Sequence, residues 1–128
     1  MPRGSSNGLR RRLLRSRARK LRDERKVLHR YIEILSKNYP RSTVVLFGSR
    51  ARGDELPYSD YDLAVILDKV GDKISLVETL RRLKPRGLPL DLIVIQVDEL
   101  SDPLTSTMLS GCTVLYDGLK IKNRLSTL

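Results

Sequence analysis

Two short apolar runs, separated by a charged segment, constrain the fold of this chain more than any other feature of its sequence. The first run, residues 44–47 (VVLF), leads directly into Gly48. The second, residues 63–67 (LAVIL), follows an Asp-x-Asp pair formed by Asp60 and Asp62. Runs of β-branched and aliphatic residues bounded by Gly, Ser and Pro are typical of strands buried on both faces. The sequence therefore predicts two core strands joined by a charged loop.

The two carboxylates that open the second run are the chemical anomaly of this stretch. Side chains two residues apart on a strand project from the same face, about 6 to 7 Å from each other, so Asp60 and Asp62 would stand side by side. Two anions at that separation repel, and such a pair is normally held by a cation or by a raised pKa. A further acidic residue, Asp91, lies near the start of a third apolar run at residues 90–97.

If the strands that carry these carboxylates are neighbours, the three side chains converge at one end of a sheet. Oxygen-only ligands on rigid strands suit Mg²⁺ or Mn²⁺. Gly48 lets the backbone approach an anion closely, and the Ser49 hydroxyl can bind a phosphate oxygen. Arg50 and Arg52 add cationic donors for a polyphosphate. The pattern predicts a divalent-metal site beside a phosphate-binding turn.

The remaining segments predict an α/β (α+β) fold, with a small mixed sheet of about three to four strands flanked by helices. Residues 1–8 have turn-forming composition without periodicity, and we expect them to be disordered. Apolar spacing predicts a long N-terminal helix at residues 9–37 and a crossover helix at residues 74–84, between the second and third strands. A short helix at residues 98–110 and a short strand or extended segment at residues 112–116 follow.

Positive charge is concentrated at the N-terminus. Residues 1–30 hold 12 Lys or Arg against Asp23 and Glu24, a net charge of +10, whereas residues 31–128 are neutral. We expect a basic extension at residues 1–26, partly disordered and then helical, and one globular domain at 27–128. Residues 1–30 could contact nucleic acid through its phosphates, without sequence readout.

The predicted N-terminal helix has a leucine every seven residues, at Leu14, Leu21, Leu28 and Leu35. This spacing is compatible with a DNA-binding leucine zipper. Arg11 and Arg25 interrupt the seam that such a zipper would need, and the basic residues overlap the heptads instead of preceding them. We therefore expect the second half of the helix to pack on the sheet through Leu28, Tyr31, Ile32 and Leu35, and the first half to be solvated.

Several classes of protein find no support in the composition. Cys112 is the only cysteine and His29 the only histidine, which argues against an internal disulfide, a cysteine-built zinc site and Ser-His or Cys-His catalysis. No segment has the apolar length of a membrane span or the character of a secretory signal, so a cytoplasmic protein without membrane contact is expected.

The motifs GSRARG (48–53), SDYDLAV (59–65) and LDLIVI (90–95) resemble those of the minimal nucleotidyltransferases (MNT) of the DNA polymerase β superfamily. Tyr61 departs from the aliphatic residue that is commoner there. The resemblance covers roughly residues 27–116 and implies the nucleotidyltransferase fold.

The resemblance also implies an activity: transfer of a nucleotidyl group, expected to be AMP from ATP, to a hydroxyl acceptor with release of pyrophosphate. Asp60 and Asp62 would bridge two Mg²⁺ ions, with Mn²⁺ as a substitute, and Asp91 would ligate one of them and help to deprotonate the acceptor. Nucleotide and phosphate binding would fall to Gly48, Ser49, Arg50, Arg52 and Ser59.

The acceptor is left open by the sequence. Stand-alone members of the family often act as antitoxins that add AMP to a tyrosine of a HEPN-domain toxin, and the resemblance implies such a partner. Transfer to a small molecule such as an aminoglycoside, transfer to an RNA end favoured by the basic N-terminus, and a catalytically idle partner-binding module are the alternatives.

Overall fold

The computed structural model of the chain describes residues 3–48, 51 and 60–128, with the backbone alone for residues 3–7. Within this part of the chain, four strands form one sheet in the order β3-β2-β1-β4. The strands are β1 (Ser42–Phe47), β2 (Tyr61–Leu67), β3 (Leu90–Gln96) and β4 (Thr113–Asp117). The predicted fold class is confirmed.

Helix α1 (Arg3–Asn38) precedes the sheet. It begins at Arg3, before the predicted helix start at residue 9. Once a helix is nucleated, each added residue gains a hydrogen bond, and this outweighs the modest helix propensity of the Gly, Ser and Asn residues there.

The second half of α1 attaches the helix to the sheet, as predicted. Leu28, Tyr31 and Leu35 are buried and Ile32 packs against the same cluster. The Tyr31 hydroxyl donates a hydrogen bond of 2.6 Å to the carbonyl of Leu80, so a polar contact also fixes the helix. Residues 9–20, by contrast, are exposed throughout.

The sheet is mixed because its connections differ. β1 is antiparallel to both β2 and β4. β2 is parallel to β3, and the predicted crossover helix, α2 (Lys73–Arg82), connects them. A parallel pair requires a crossover of this kind, whereas the antiparallel pairs do not.

Alternation along the strands divides the core between the two faces of the sheet. Val44, Leu63 and Val65 join α1 and α2 in one cluster. Val45, Ala64 and Ile66 point to the other face and join the C-terminal part of the chain.

The C-terminal part departs from prediction in its helices. Instead of one helix over residues 98–110, a 3-10 helix (Val97–Ser101) and α3 (Pro103–Leu109) are separated by Asp102. Asp102 is extended because the residue before a proline is disfavoured in the helical region, and its carboxylate accepts the Leu104 N–H at 3.0 Å. A last helix, α4 (Lys122–Ser126), was not predicted.

Across the described ranges, no helix combines the length and the apolar character that crossing a membrane would require.

Candidate active site

The candidate site lies where β1 ends and where β2 and β3 begin. Phe47, the last residue of β1, is the cross-strand partner of Asp62. Gly48 follows with a φ of 76°, a conformation that residues with a Cβ rarely adopt. A Cβ on Gly48 would collide with the carboxylate of Asp62. Glycine is therefore favoured here by the backbone conformation, and its lack of a Cβ leaves the Asp62 carboxylate in place.

Asp62 and Asp91 are direct partners across the parallel pair of β2 and β3. The adjacency of these two strands, on which the convergence of carboxylates depended, is confirmed. Partner residues on neighbouring strands project from the same face, so the two side chains lie beside each other. Asp60 is exposed and immediately precedes β2, which begins at Tyr61.

The charge on Asp62 is disfavoured by its surroundings. Burial raises the pKa of the Asp62 carboxyl, and the negative charges of Asp91 and Asp60 raise it further. Removal from water and repulsion by like charges both penalise the ionised form. A bound cation would offset the repulsion from Asp91 and Asp60 and favour the ionised form of Asp62.

Arg81, at the end of α2, approaches the same cluster. Its guanidinium lies 3.9 Å from Asp91 Oδ1, and the two side chains are 57% and 62% exposed. Arg81 is not among the site residues predicted from the sequence, although a cation is favourable at a helix C-terminus. The crossover from α2 into β3 is the signal that would have placed it near Asp91.

The described residues include no group of three or more Asp, Glu, His or Cys side chains close enough together to hold a metal ion. The aspartates are therefore not arranged as a closed metal cage. Mg²⁺ does not need one, because it is commonly bound by one or two carboxylates together with substrate phosphates and water. The opposed oxygen donors of Asp62 and Asp91 fit that mode of binding.

The other predicted nucleotide-binding residues, Ser49, Arg50, Arg52 and Ser59, lie outside the described residues. Of the predicted phosphate-binding residues, the structure places Gly48 next to Asp62.

A mixed sheet that brings the end of a glycine-terminated strand against two aspartates on parallel strands has the architecture of a nucleotidyltransferase. The chain belongs to the nucleotidyltransferase domain family, whose model matches residues 28–113. It is similar to a protein of Methanocaldococcus jannaschii named "Putative protein adenylyltransferase", with 32% identity over 78 residues, 57% of this chain and 76% of that protein.

The fold is also similar to that of a solved structure. A crystal structure of a "putative nucleotidyltransferase" from Sulfolobus solfataricus superposes with a TM-score of 0.62 at 22% identity, covering 80% of this chain and 87% of that one.

Proposed function

We propose that this nucleotidyltransferase is a metal-dependent protein adenylyltransferase, which transfers AMP from ATP to a tyrosine hydroxyl of a HEPN-domain partner. The observation that carries the metal-dependent chemistry is the direct opposition of Asp62 and Asp91 on parallel strands. The name of the M. jannaschii relative supports a protein acceptor. The HEPN partner and its tyrosine come from the resemblance of the motifs alone.

In this proposal the paired carboxylates of Asp62 and Asp91 hold two Mg²⁺ ions, which Mn²⁺ can replace, and Asp60 joins them as a ligand when the ions bind. When bound, the ions neutralise charge on the triphosphate and lower the pKa of the attacking hydroxyl. The raised pKa of Asp62, caused by burial and then by Asp91 and Asp60, supports this assignment, because a cation removes the repulsion among the carboxylates.

At phosphorus, the reaction forms one bond and breaks one. The acceptor oxygen attacks the α-phosphorus of ATP in line, the bond from that phosphorus to the bridging oxygen breaks, and pyrophosphate leaves. The exposed carboxylate of Asp91 accepts the hydroxyl proton, and Gly48 allows the backbone to lie against the β and γ phosphates. Ser49, Arg50, Arg52 and Ser59 are proposed as further contacts to the nucleotide.

Two labelled forms of ATP test the reaction type. With Mg²⁺ and the proposed HEPN-domain partner, label in the α position should appear on the partner, and label in the γ position should not. Asp62→Asn should abolish the signal, whereas Asp68→Asn, an exposed aspartate after β2, should not. Label carried from γ would indicate a kinase and contradict the proposal.

The basic N-terminus favours one second candidate, transfer to an RNA end. Offering RNA in place of the partner protein tests it, and α label on RNA alone would overturn the protein acceptor. Absence of label on any acceptor, together with tight binding of the partner, would identify an idle binding module.

A further inference from the structure

A row of cations follows one side of α1 along much of its length. The row, called here the basic stripe, consists of Arg11, Arg15, Arg19, Arg22, Lys26 and Arg30. At about 100° per residue, spacings of three and four residues keep these side chains within about a third of the helix circumference and extend them over about 28 Å. All of them are exposed.

The basic stripe faces away from the sheet. Leu28, Tyr31 and Leu35, which bury the opposite side of the helix, lie about half a turn from its centre. Farther toward the N-terminus, where the helix no longer contacts the sheet, the exposed Arg10, Arg17 and Lys20 add charge on the other side. Residues 10–20 of α1 thus carry basic side chains on all sides of the helix.

Three exposed leucines do not form a membrane-binding face. Leu9, Leu13 and Leu14 are 59%, 53% and 63% exposed. Leu14 lies between Arg10 and Arg17 on the helix surface, so cations interrupt the apolar side. A helix that lies in a membrane interface needs its apolar residues separated from its charged ones.

We propose that residues 10–30 of α1 form a binding surface for double-stranded DNA, which they contact through phosphates without reading the base sequence. A polyanion is the complement of this charge. Residues 1–30 contain no Phe, Tyr or Trp on which unpaired bases could stack, which disfavours a single strand. A helix of about 10 to 12 Å diameter enters the major groove of B-DNA, which is about 12 Å wide, but not the narrow groove of duplex RNA.

The salt dependence of binding tests the basic stripe quantitatively. Six phosphate contacts predict a log-log slope of about −5 against salt, which corresponds to a loss of about 10³-fold in affinity for a mixed-sequence duplex between 50 and 200 mM. Fluorescence anisotropy with the full chain measures it. A scrambled duplex should bind equally well, and duplex RNA of the same sequence should bind more weakly.

Two variants with the same net charge distinguish an effect of charge position from an effect of total charge. The stripe variant is R11Q/R15Q/R19Q/R22Q/K26Q/R30Q, and the control, which changes six exposed cations elsewhere, is R41Q/K69Q/R82Q/R86Q/K120Q/K122Q. Gln is a good helix former, so the stripe variant should keep its helix content by circular dichroism. Both variants carry the same net charge.

We expect the stripe variant to lose at least about 100-fold in DNA affinity and most of the dependence of that affinity on salt concentration. The control variant should keep the affinity and the salt dependence of the unmodified chain. Equal losses in the two variants would reduce the effect to net charge and overturn the proposal. Stronger binding to duplex RNA than to DNA, or binding to phosphatidylserine vesicles without binding to DNA, would also overturn it. None of these outcomes depends on nucleotidyl transfer.

Discussion

Strand β1, one of the two inner strands of the sheet, has a partner aspartate near each end, and the two carboxylates are held in opposite ways. Asp62 is the partner of Phe47 at the end of β1, and Asp117 is the partner of Thr43 near its beginning. Burial raises the pKa of Asp62, and so do the charges of Asp91 and Asp60. Burial also raises the pKa of Asp117, but hydrogen bonds outweigh it and the pKa is lowered.

The donors at Asp117 explain the difference. Its Oδ1 accepts the Thr43 hydroxyl at 3.0 Å and the Ile121 N–H at 2.9 Å, and its Oδ2 accepts the Lys122 N–H at 3.1 Å. These bonds cap α4 and join it to the sheet. A carboxylate satisfied by the protein has a structural role. A carboxylate opposed by its neighbours leaves room for a cation to bind, and Asp62 is of this second kind.

Asp62→Asn should have the largest effect, and it should change activity and stability in opposite directions. Losing a group that merely supports a metal ligand costs about 10- to 100-fold, so losing the ligand should lower nucleotidyl transfer by at least about 100-fold. Stability should rise, because the native state no longer contains a disfavoured charge.

The raised pKa of Asp62 also determines how the stability effect of this substitution changes with pH. The pKa of Asp62 is higher in the folded than in the unfolded state, so ionisation destabilises the fold above both values, and the penalty is absent below about pH 4, where both states are protonated. The gain in Tm of Asp62→Asn should therefore shrink as the pH is lowered toward 4. A lower Tm for this variant at neutral pH would contradict the assignment.

Gly48→Ala should have the second largest effect, because it changes the contact between residue 48 and the carboxylate of Asp62. The left-handed conformation costs a residue with a Cβ about 1 to 2 kcal/mol, and the new methyl group would displace the carboxylate of Asp62. Displacements of about 1 Å can cost about 100-fold in rate, so we expect a loss between about 10- and 100-fold.

Gly111→Ala is the matched control for this substitution. Gly111 has a φ of 75° against 76° for Gly48, but a Cβ there would meet nothing within 4 Å. Both variants should lose similar stability in thermal unfolding, and only Gly48→Ala should lose activity. If Gly111→Ala lost as much activity, backbone strain and not the contact with Asp62 would be the cause.

Asp117→Asn should give a smaller effect, confined to stability. Loss of the charge and of one acceptor oxygen at a capping position should cost about 1 kcal/mol, or about 4 °C in Tm. The pKa of Asp117 is lowered on folding, so its contribution is present above about pH 4 and is lost as the pH falls through its folded pKa. Thermal unfolding from pH 7 to pH 3, with Asp68→Asn as the surface control, measures this. A loss of nucleotidyl transfer without a loss of stability would place Asp117 in the active site.

The end of the sheet that contains Asp62 was predictable because its geometry depends on local patterns. Two apolar runs with a helical pattern between them predict parallel strands joined by a crossover. Asp62 and Asp91 lie near the starts of two parallel strands. Neighbouring parallel strands start at the same edge of the sheet, so the two residues lie at that edge. The proximity of the two carboxylates follows from these steps.

The opposite end was not predictable in the same way. The sequence Asp117-Gly118 indicates a turn, but the role of Asp117 depends on Thr43, which lies 74 positions away in the chain. No local pattern reports that contact. The short helix α4 was missed for the same reason, since its cap comes from Asp117 and not from the residue that precedes it.

Arg81→Gln should have the smallest effect, and it tests whether Asp91 is held by the protein or is free to bind a cation. The ion pair is exposed, so its loss should change stability by less than about 1 kcal/mol. Arg81 competes with a cation for the carboxylate of Asp91, and its removal should lower the Mg²⁺ concentration that gives half-maximal nucleotidyl transfer. Arg82→Gln, on the same exposed turn of α2, should leave that concentration unchanged. A higher Mg²⁺ requirement in Arg81→Gln alone would show that Arg81 assists the site by binding the triphosphate, since a competitor of the metal would have the opposite effect.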